Sequence, residues 1–205
     1  MIQTVRTFIA IELPKEVRDY LARRQERLKA TGADVKWTRP GQIHLTLAFL
    51  GNVPADELAL LAEAVREAAA GFGPLGLRAG GTGQFPEGGR PPRVVWVGVD
   101  TEAGDLAGLQ NAVARAAAPF AERQEHRGFH PHLTLGRVRQ GRRGRADRRG
   151  GGGGGSLAAL GQAVAGGADR RGPAFGAEEV VIFQSDLEPQ GPTYTPIARI
   201  RLETA

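Results

Sequence analysis

Ile43, Leu45, Leu47 and Phe49 alternate with His44, Thr46, Ala48 and Leu50. Period-two alternation predicts a strand with two distinct faces, on which His44 and Thr46 project together, opposite the apolar row. The same reading gives a strand over Val5 to Glu12. It then gives a helix from Pro14 to about Ala30, with Val17, Tyr20, Leu21 and Leu28 on one face, and a strand at Val35 to Trp37. Pro54 opens a second helix, whose Leu58, Leu61, Ala62, Val65 and Ala69 recur at three-and-four spacing until Gly71, Gly73 and Pro74 end it.

The pattern then begins again. Val94 to Asp100 reads as a strand, Leu106, Leu109, Val113 and Phe120 mark a helix, and His132 to Val138 is the next strand. Shifting the first half by 88 residues lays Arg6 to Glu12 on Val94 to Asp100 and His44-Leu45-Thr46-Leu47 on His132-Leu133-Thr134-Leu135. An internal repeat of this kind predicts two similar lobes about an approximate two-fold axis, within a single domain spanning residues 1–205. After the second copy, Arg139 to Gly155 is rich in arginine and ends in a run of six glycines, Gly150 to Gly155, which predicts a mobile loop with no packed element. A short helix from Ser156 to Ala165, with Leu157, Leu160 and Val164 on one face, precedes strands at Glu179 to Asp186 and Tyr194 to Leu202. The turn Pro189-Gln190-Gly191-Pro192 makes that last pair a hairpin.

Composition narrows the chemistry. The chain has 205 residues and no cysteine, so disulfides, thiol nucleophiles and thiolate metal sites are excluded, and a reducing, cytoplasmic setting is expected. The apolar run Phe8 to Ile11 is too short for a signal peptide or a membrane span, so no membrane partner is expected. The net charge of +5 sits in one place. Six arginines and one acid between Arg139 and Arg149 supply all of it, which points to a polyanion near that stretch.

Two histidines suffice for attack on a phosphodiester. One ring takes a proton from the attacking oxygen and the other gives a proton to the leaving oxygen, each transfer being worth about 10²–10⁴-fold near the pH at which both protonation states coexist. A threonine two residues on shares the strand face and donates to a non-bridging phosphate oxygen. Two such units across a two-fold axis would surround one phosphate with two imidazoles and two hydroxyls, without a metal or any other cofactor. His130-Pro131-His132 also spaces two histidines as a metal pair would, but no carboxylate cluster with ligand spacing accompanies it. His130 is expected at the cleft rim or in a hydrogen bond, and His126 on the surface.

With the twin His-x-Thr units in place, the chain resembles the 2H phosphoesterase superfamily and, within it, the RNA 2′,3′-cyclic phosphodiesterases formerly called 2′-5′ RNA ligases. The resemblance runs through Arg6 to Pro14, Val35 to Trp37, Ile43 to Gly51, Pro92 to Val99 and Phe129 to Arg137. It implies a bilobal α+β fold with antiparallel sheets lining a central cleft and helices outside. It implies hydrolysis of a 2′,3′-cyclic phosphate at RNA ends, tRNA-like fragments included, to a 2′-phosphate, with the reverse reaction joining ends through a 2′-5′ linkage. By the same resemblance His44 is the proton donor, His132 the proton acceptor, and Thr46 and Thr134 hold the phosphate. Arg137 and Phe49, each five residues after its histidine, would contact substrate. Strict alternation puts both on the apolar face, so they reach the cleft only where the strand ends or bulges.

Two other functions compete. One is a non-catalytic RNA-binding module that keeps His-x-Thr as a phosphate grip, and the other is a phosphodiesterase for a small cyclic nucleotide, which would need no basic patch. A monomer is expected, since nothing in the sequence suggests an obligate partner.

Overall fold

The computed structural model describes residues 3–87, 89–123, 128–139, 153–168, 171–189 and 191–203, with the backbone alone for 153–155. Its strands are β1 (Thr4–Ile11), β2 (Val35–Trp37), β3 (Leu45–Pro54), β4 (Leu75–Phe85), β5 (Val94–Ala103), β6 (His132–Val138), β7 (Ala174–Ala177), β8 (Glu179–Glu188) and β9 (Gly191–Arg201). The helices are α1 (Lys15–Lys29), α2 (Leu58–Ala69), α3 (Leu106–Ala117) and α4 (Gly153–Ala165). All strands pair antiparallel, in the order β7-β4-β5-β6-β3-β1-β8-β9, with β2 added against β6. This is the expected α+β class.

The order reads symmetrically outward from its middle. β6 and β3 carry the two His-x-Thr units, and β5 and β1 flank them; β5 lies where the 88-residue shift of β1 predicts. The two central strands meet at one pair, Leu45 with Leu133. Elsewhere each lobe is knitted by long ladders, so this narrow seam is where the lobes join.

The helices cross that seam. α1 follows β1 in the chain, yet Tyr20 donates its hydroxyl hydrogen to the Gly80 carbonyl of β4 at 3.2 Å and Gln25 donates to the Leu135 carbonyl of β6 at 2.8 Å. α3 follows β5, yet Gln110 donates to the Leu47 carbonyl of β3 at 3.0 Å. Each lobe's sheet is thus covered in part by the other's helix. The main core lies between sheet and helices, with Ile9, Leu21, Leu45, Leu61, Leu109 and Leu133 wholly buried. A second cluster of Phe8, Ala10, Val181 and Phe183 occupies the opposite face of β1 and β8, because these residues alternate with core-facing neighbours.

Two strands carried no readable pattern. β4 holds Gly76, Gly80, Gly81 and Gly83, which interrupt any alternation. Packing demands at least one of them: a Cβ on Gly83 would lie 2.1 Å from the ring of Trp96, its cross-strand partner. β7 has only four residues, too few for a period. The glycine run also behaves differently from expectation. Residues 140–152 lie outside the described part, but α4 begins at Gly153, so the last glycines form its first turn rather than a loop. That helix is held by burial of Leu160 and Val164 further along, which outweighs glycine's poor propensity at one end. Arg139, the first residue of the same stretch, is tied down, its N–H bonded to the Asp34 carbonyl at 2.9 Å and its guanidinium 3.4 Å from the Asp34 carboxylate.

Candidate active site

Antiparallel pairing at Leu45 and Leu133 brings His44 beside Thr134 and Thr46 beside His132, all four on the face opposite the two leucines. The two histidines are held alike. His44 Nδ1 lies 2.9 Å from the Gln42 carbonyl and His132 Nδ1 lies 2.7 Å from the His130 carbonyl, in both cases two residues upstream. A carbonyl oxygen only accepts, so each Nδ1 carries the hydrogen and each Nε2 is left free to take or give a proton.

Each imidazole rests on aromatic rings contributed by neighbouring strands. His44 stacks on Phe8 at 4.6 Å between centroids and meets the edge of Tyr194 at 5.3 Å. His132 meets Phe85 at 5.2 Å and Trp96 at 6.3 Å. Phe8 and Trp96 differ by 88 in number, so the repeat supplies the aromatic neighbour together with the histidine. The sequence pattern gives none of these rings a role at the site; for Phe8 and Trp96 the signal lies in the offset, at equivalent positions of β1 and β5.

Burial pushes the pKa of both histidines down. For His44 the Gln42 carbonyl opposes that effect, while the positive charge of His132 adds to it. For His132 the His130 carbonyl opposes it, and His130 and Arg137 add to it. Mutual repulsion between His44 and His132 favours one proton shared between the two rings over a doubly charged pair.

Strict alternation fails at corresponding places in β3 and β6. In the β1–β3 ladder Ala10 pairs with Thr46 and Ile9 with Ala48, skipping Leu47. In the β5–β6 ladder Trp96 pairs with Thr134 and Val95 with Gly136, skipping Leu135. These bulges, 88 residues apart, shift the parity of the residues that follow, in β3 as far as a second bulge at Leu50. Phe49 then pairs with Phe8 and Arg137 with Val94, which turns both toward the side of the histidines and corrects the apolar placement that alternation predicts. Phe49 is 46% exposed, with the Arg6 guanidinium 4.7 Å above its ring. Arg6 and Arg137 both act on Tyr194, whose pKa burial raises and the two cations lower.

The carbonyls at the two bulges accept from the crossing helices, that of Leu135 also from the Thr38 N–H at 2.9 Å. Gln25 and Gln110 donate to Leu135 and Leu47 respectively, and Gln25, only 2% exposed, also reaches the Thr38 carbonyl at 2.7 Å. Gln25→Met, which keeps the side chain's length and removes its donors, is expected to cost about 1–3 kcal/mol in urea unfolding.

His130 is exposed, and its ring packs on Trp96 at 4.8 Å and Phe85 at 5.3 Å. Its carbonyl accepts the hydrogen bond from His132 Nδ1. His126 lies outside the described residues. Among the described residues no group of three or more His, Asp or Glu side chains is placed to hold a metal ion, and no helix is long and apolar enough to cross a membrane.

The family described as LigT-like phosphoesterase matches twice in tandem, over residues 11–96 and 97–194, so that each match contains one His-x-Thr unit. The chain belongs to the LigT-like phosphoesterase family. Its relatives include an RNA 2′,3′-cyclic phosphodiesterase of Methanothermobacter thermautotrophicus, 35% identical over 97% of this chain and 99% of that one. Among solved structures, TT0787 of Thermus thermophilus matches with a TM-score of 0.70 at 26% identity, over 96% of this chain and 97% of that one. Escherichia coli LigT complexed with 3′-AMP also reaches 0.70, at 23% identity over 98% and 99% of the two chains, which speaks for the fold alone. The LigT-like matches meet within β5, close to where the sequence repeat begins its second copy.

Proposed function

We propose that this phosphoesterase hydrolyses the 2′,3′-cyclic phosphate at RNA ends to a 2′-phosphate, using His132 as base and His44 as acid. The carrying observation is the pair of His-x-Thr units brought side by side at Leu45 and Leu133, each with Nδ1 bonded to a carbonyl and Nε2 free. The name of the 35%-identical relative supports the substrate. In the step, Nε2 of His132 removes a proton from water as its oxygen bonds to phosphorus. The bond from phosphorus to O3′ breaks, and O3′ takes the proton held on Nε2 of His44. Thr46 and Thr134 donate to the non-bridging oxygens, where charge builds up. If the 5′-hydroxyl of a second RNA replaces water, the same transfers yield a 2′-5′ linkage. Phe49 and His130 offer ring faces for a base, and Arg137 a cation for phosphate.

RNA ending in a 2′,3′-cyclic phosphate is the direct test. Conversion to the 2′-phosphate, undiminished by EDTA, is the expected result. Binding without turnover would favour the non-catalytic RNA-binding reading. Turnover restricted to free cyclic nucleotides would favour the small-substrate reading.

The pH profile follows from the burial of both rings. Activity falls as pH drops through the pKa of the base, which must be neutral, and falls as pH rises through that of the acid, which must be protonated. Both lie below the ordinary imidazole value of 6.5 in the free protein. The plot of kcat/KM against pH is therefore expected to be bell-shaped with its maximum on the acid side of 6.5, the two limbs belonging to the pair rather than to either ring. A maximum above neutrality would show that burial does not control the pair.

A further inference from the structure

Arg24 is 6% exposed, yet among the described residues it has no carboxylate partner. One of its five N–H groups is accounted for, Nη2 donating to the Gly167 carbonyl at 3.2 Å, while its buried Nε has no partner. A buried guanidinium without an anion is costly and rare. The C-terminal end of α4, just before Gly167, offsets part of that charge through its partial negative pole. It does not explain the company Arg24 keeps.

Arg24 and Arg27 line two adjoining recesses, of about 100 and 250 Å³, on the helix-covered side of the sheet, away from the histidines. Arg23 and Arg171 join them around the larger recess, along with Tyr20, whose ring lies 5.5 Å from the Arg24 guanidinium. Among the described residues, no acidic side chain lines either recess. Asp19 is held below its ordinary pKa chiefly by Lys15 and more weakly by Arg23, and Glu102 chiefly by Arg78 and more weakly by Arg171, but neither acid forms an ion pair with these arginines. Four cations thus converge on one recess with, among the described residues, nothing of opposite sign between them. That is the arrangement of a site built for an anion with several acceptor oxygens, since guanidinium forks match phosphate geometry.

We propose that the recess between α1 and Arg171 is a second phosphate-binding site, in which Arg23, Arg24, Arg27 and Arg171 hold one phosphate group. The shared chemistry is a phosphate oxyanion, supplied either by the backbone of an RNA strand or by a free phosphate. The site does not depend on the catalytic assignment, because its occupancy is read without turnover.

Inorganic phosphate, titrated calorimetrically into His44→Ala/His132→Ala protein, is expected to bind saturably. Adding Arg23→Gln, Arg27→Gln and Arg171→Gln, all at exposed positions, is expected to weaken that binding about tenfold or more at unchanged Tm. Arg24→Gln should weaken it equally, and the exposed triple decides the matter if that buried substitution unfolds the chain. Absence of saturable binding, or equal affinity in the triple variant, overturns the proposal. The source is read in protein with both histidines intact. If it is an RNA strand, the triple variant lowers the salt dependence of RNA affinity by about one unit of slope or more and leaves turnover of a 2′,3′-cyclic mononucleotide unchanged. If it is free phosphate, calorimetric affinity falls while RNA affinity keeps its salt slope.

Discussion

His44→Ala and His132→Ala are each expected to lower kcat on RNA 2′,3′-cyclic phosphate by about 10²–10⁴-fold, or roughly 3–5 kcal/mol of barrier, with KM little changed. In the proposed mechanism each substitution removes one proton transfer and leaves the other groups assigned to the phosphate, Thr46 and Thr134, in place. The double variant should fall far short of the product of the two losses, because a base without its acid partner gains little. Single-turnover kinetics on a cyclic-phosphate end, together with Tm, separates loss of chemistry from loss of fold. Unaltered turnover in both single variants would end the two-histidine assignment. The aromatic neighbours make the Tm control necessary: His44 covers Phe8, and its removal opens space above the Phe8, Phe183 and Tyr194 cluster.

Leu133→Ala is expected to carry the largest stability cost of the substitutions considered, about 2–5 kcal/mol. Its side chain is wholly buried, and it pairs with the equally buried Leu45 at the one point where β3 meets β6. For a chain of this length the loss corresponds to roughly 4–20 °C in Tm. Leu45→Ala should cost a similar amount, and the two should not add, because they line the same space and share one strand pair. Since His44 and Thr46 flank Leu45, and His132 and Thr134 flank Leu133, widening the seam should also reduce kcat. A variant with lowered Tm and full kcat would show that the seam stabilises the fold without setting the spacing of the histidines.

The sequence repeat carried much of this structure. Alternation at Ile43 to Leu50, the three-and-four spacing of α2 and α3, and the 88-residue offset are local signals, written by how each element buries one face. They were sufficient for β1, β3, β5, β6 and the four helices, and they put each histidine on the same strand face as its threonine. Whether the two units meet, and in what order the strands lie, depends on pairings between distant residues that no local period records. β4 was hidden because its glycines answer to Trp96 and to the residues packed above them, not to their chain neighbours. The parity change that turns Phe49 and Arg137 toward the histidines needs Leu47 and Leu135 to be skipped in the pairing, and their carbonyls accept from Gln110 and Gln25 of the crossing helices. Charge divides in the same way. The sequence by itself located the excess of arginine between residues 139 and 149, where the cations are contiguous. Only the tertiary structure drew Arg171 to Arg23, Arg24 and Arg27, because convergence of side chains from separate segments is a property of packing, and a linear reading of charge cannot contain it.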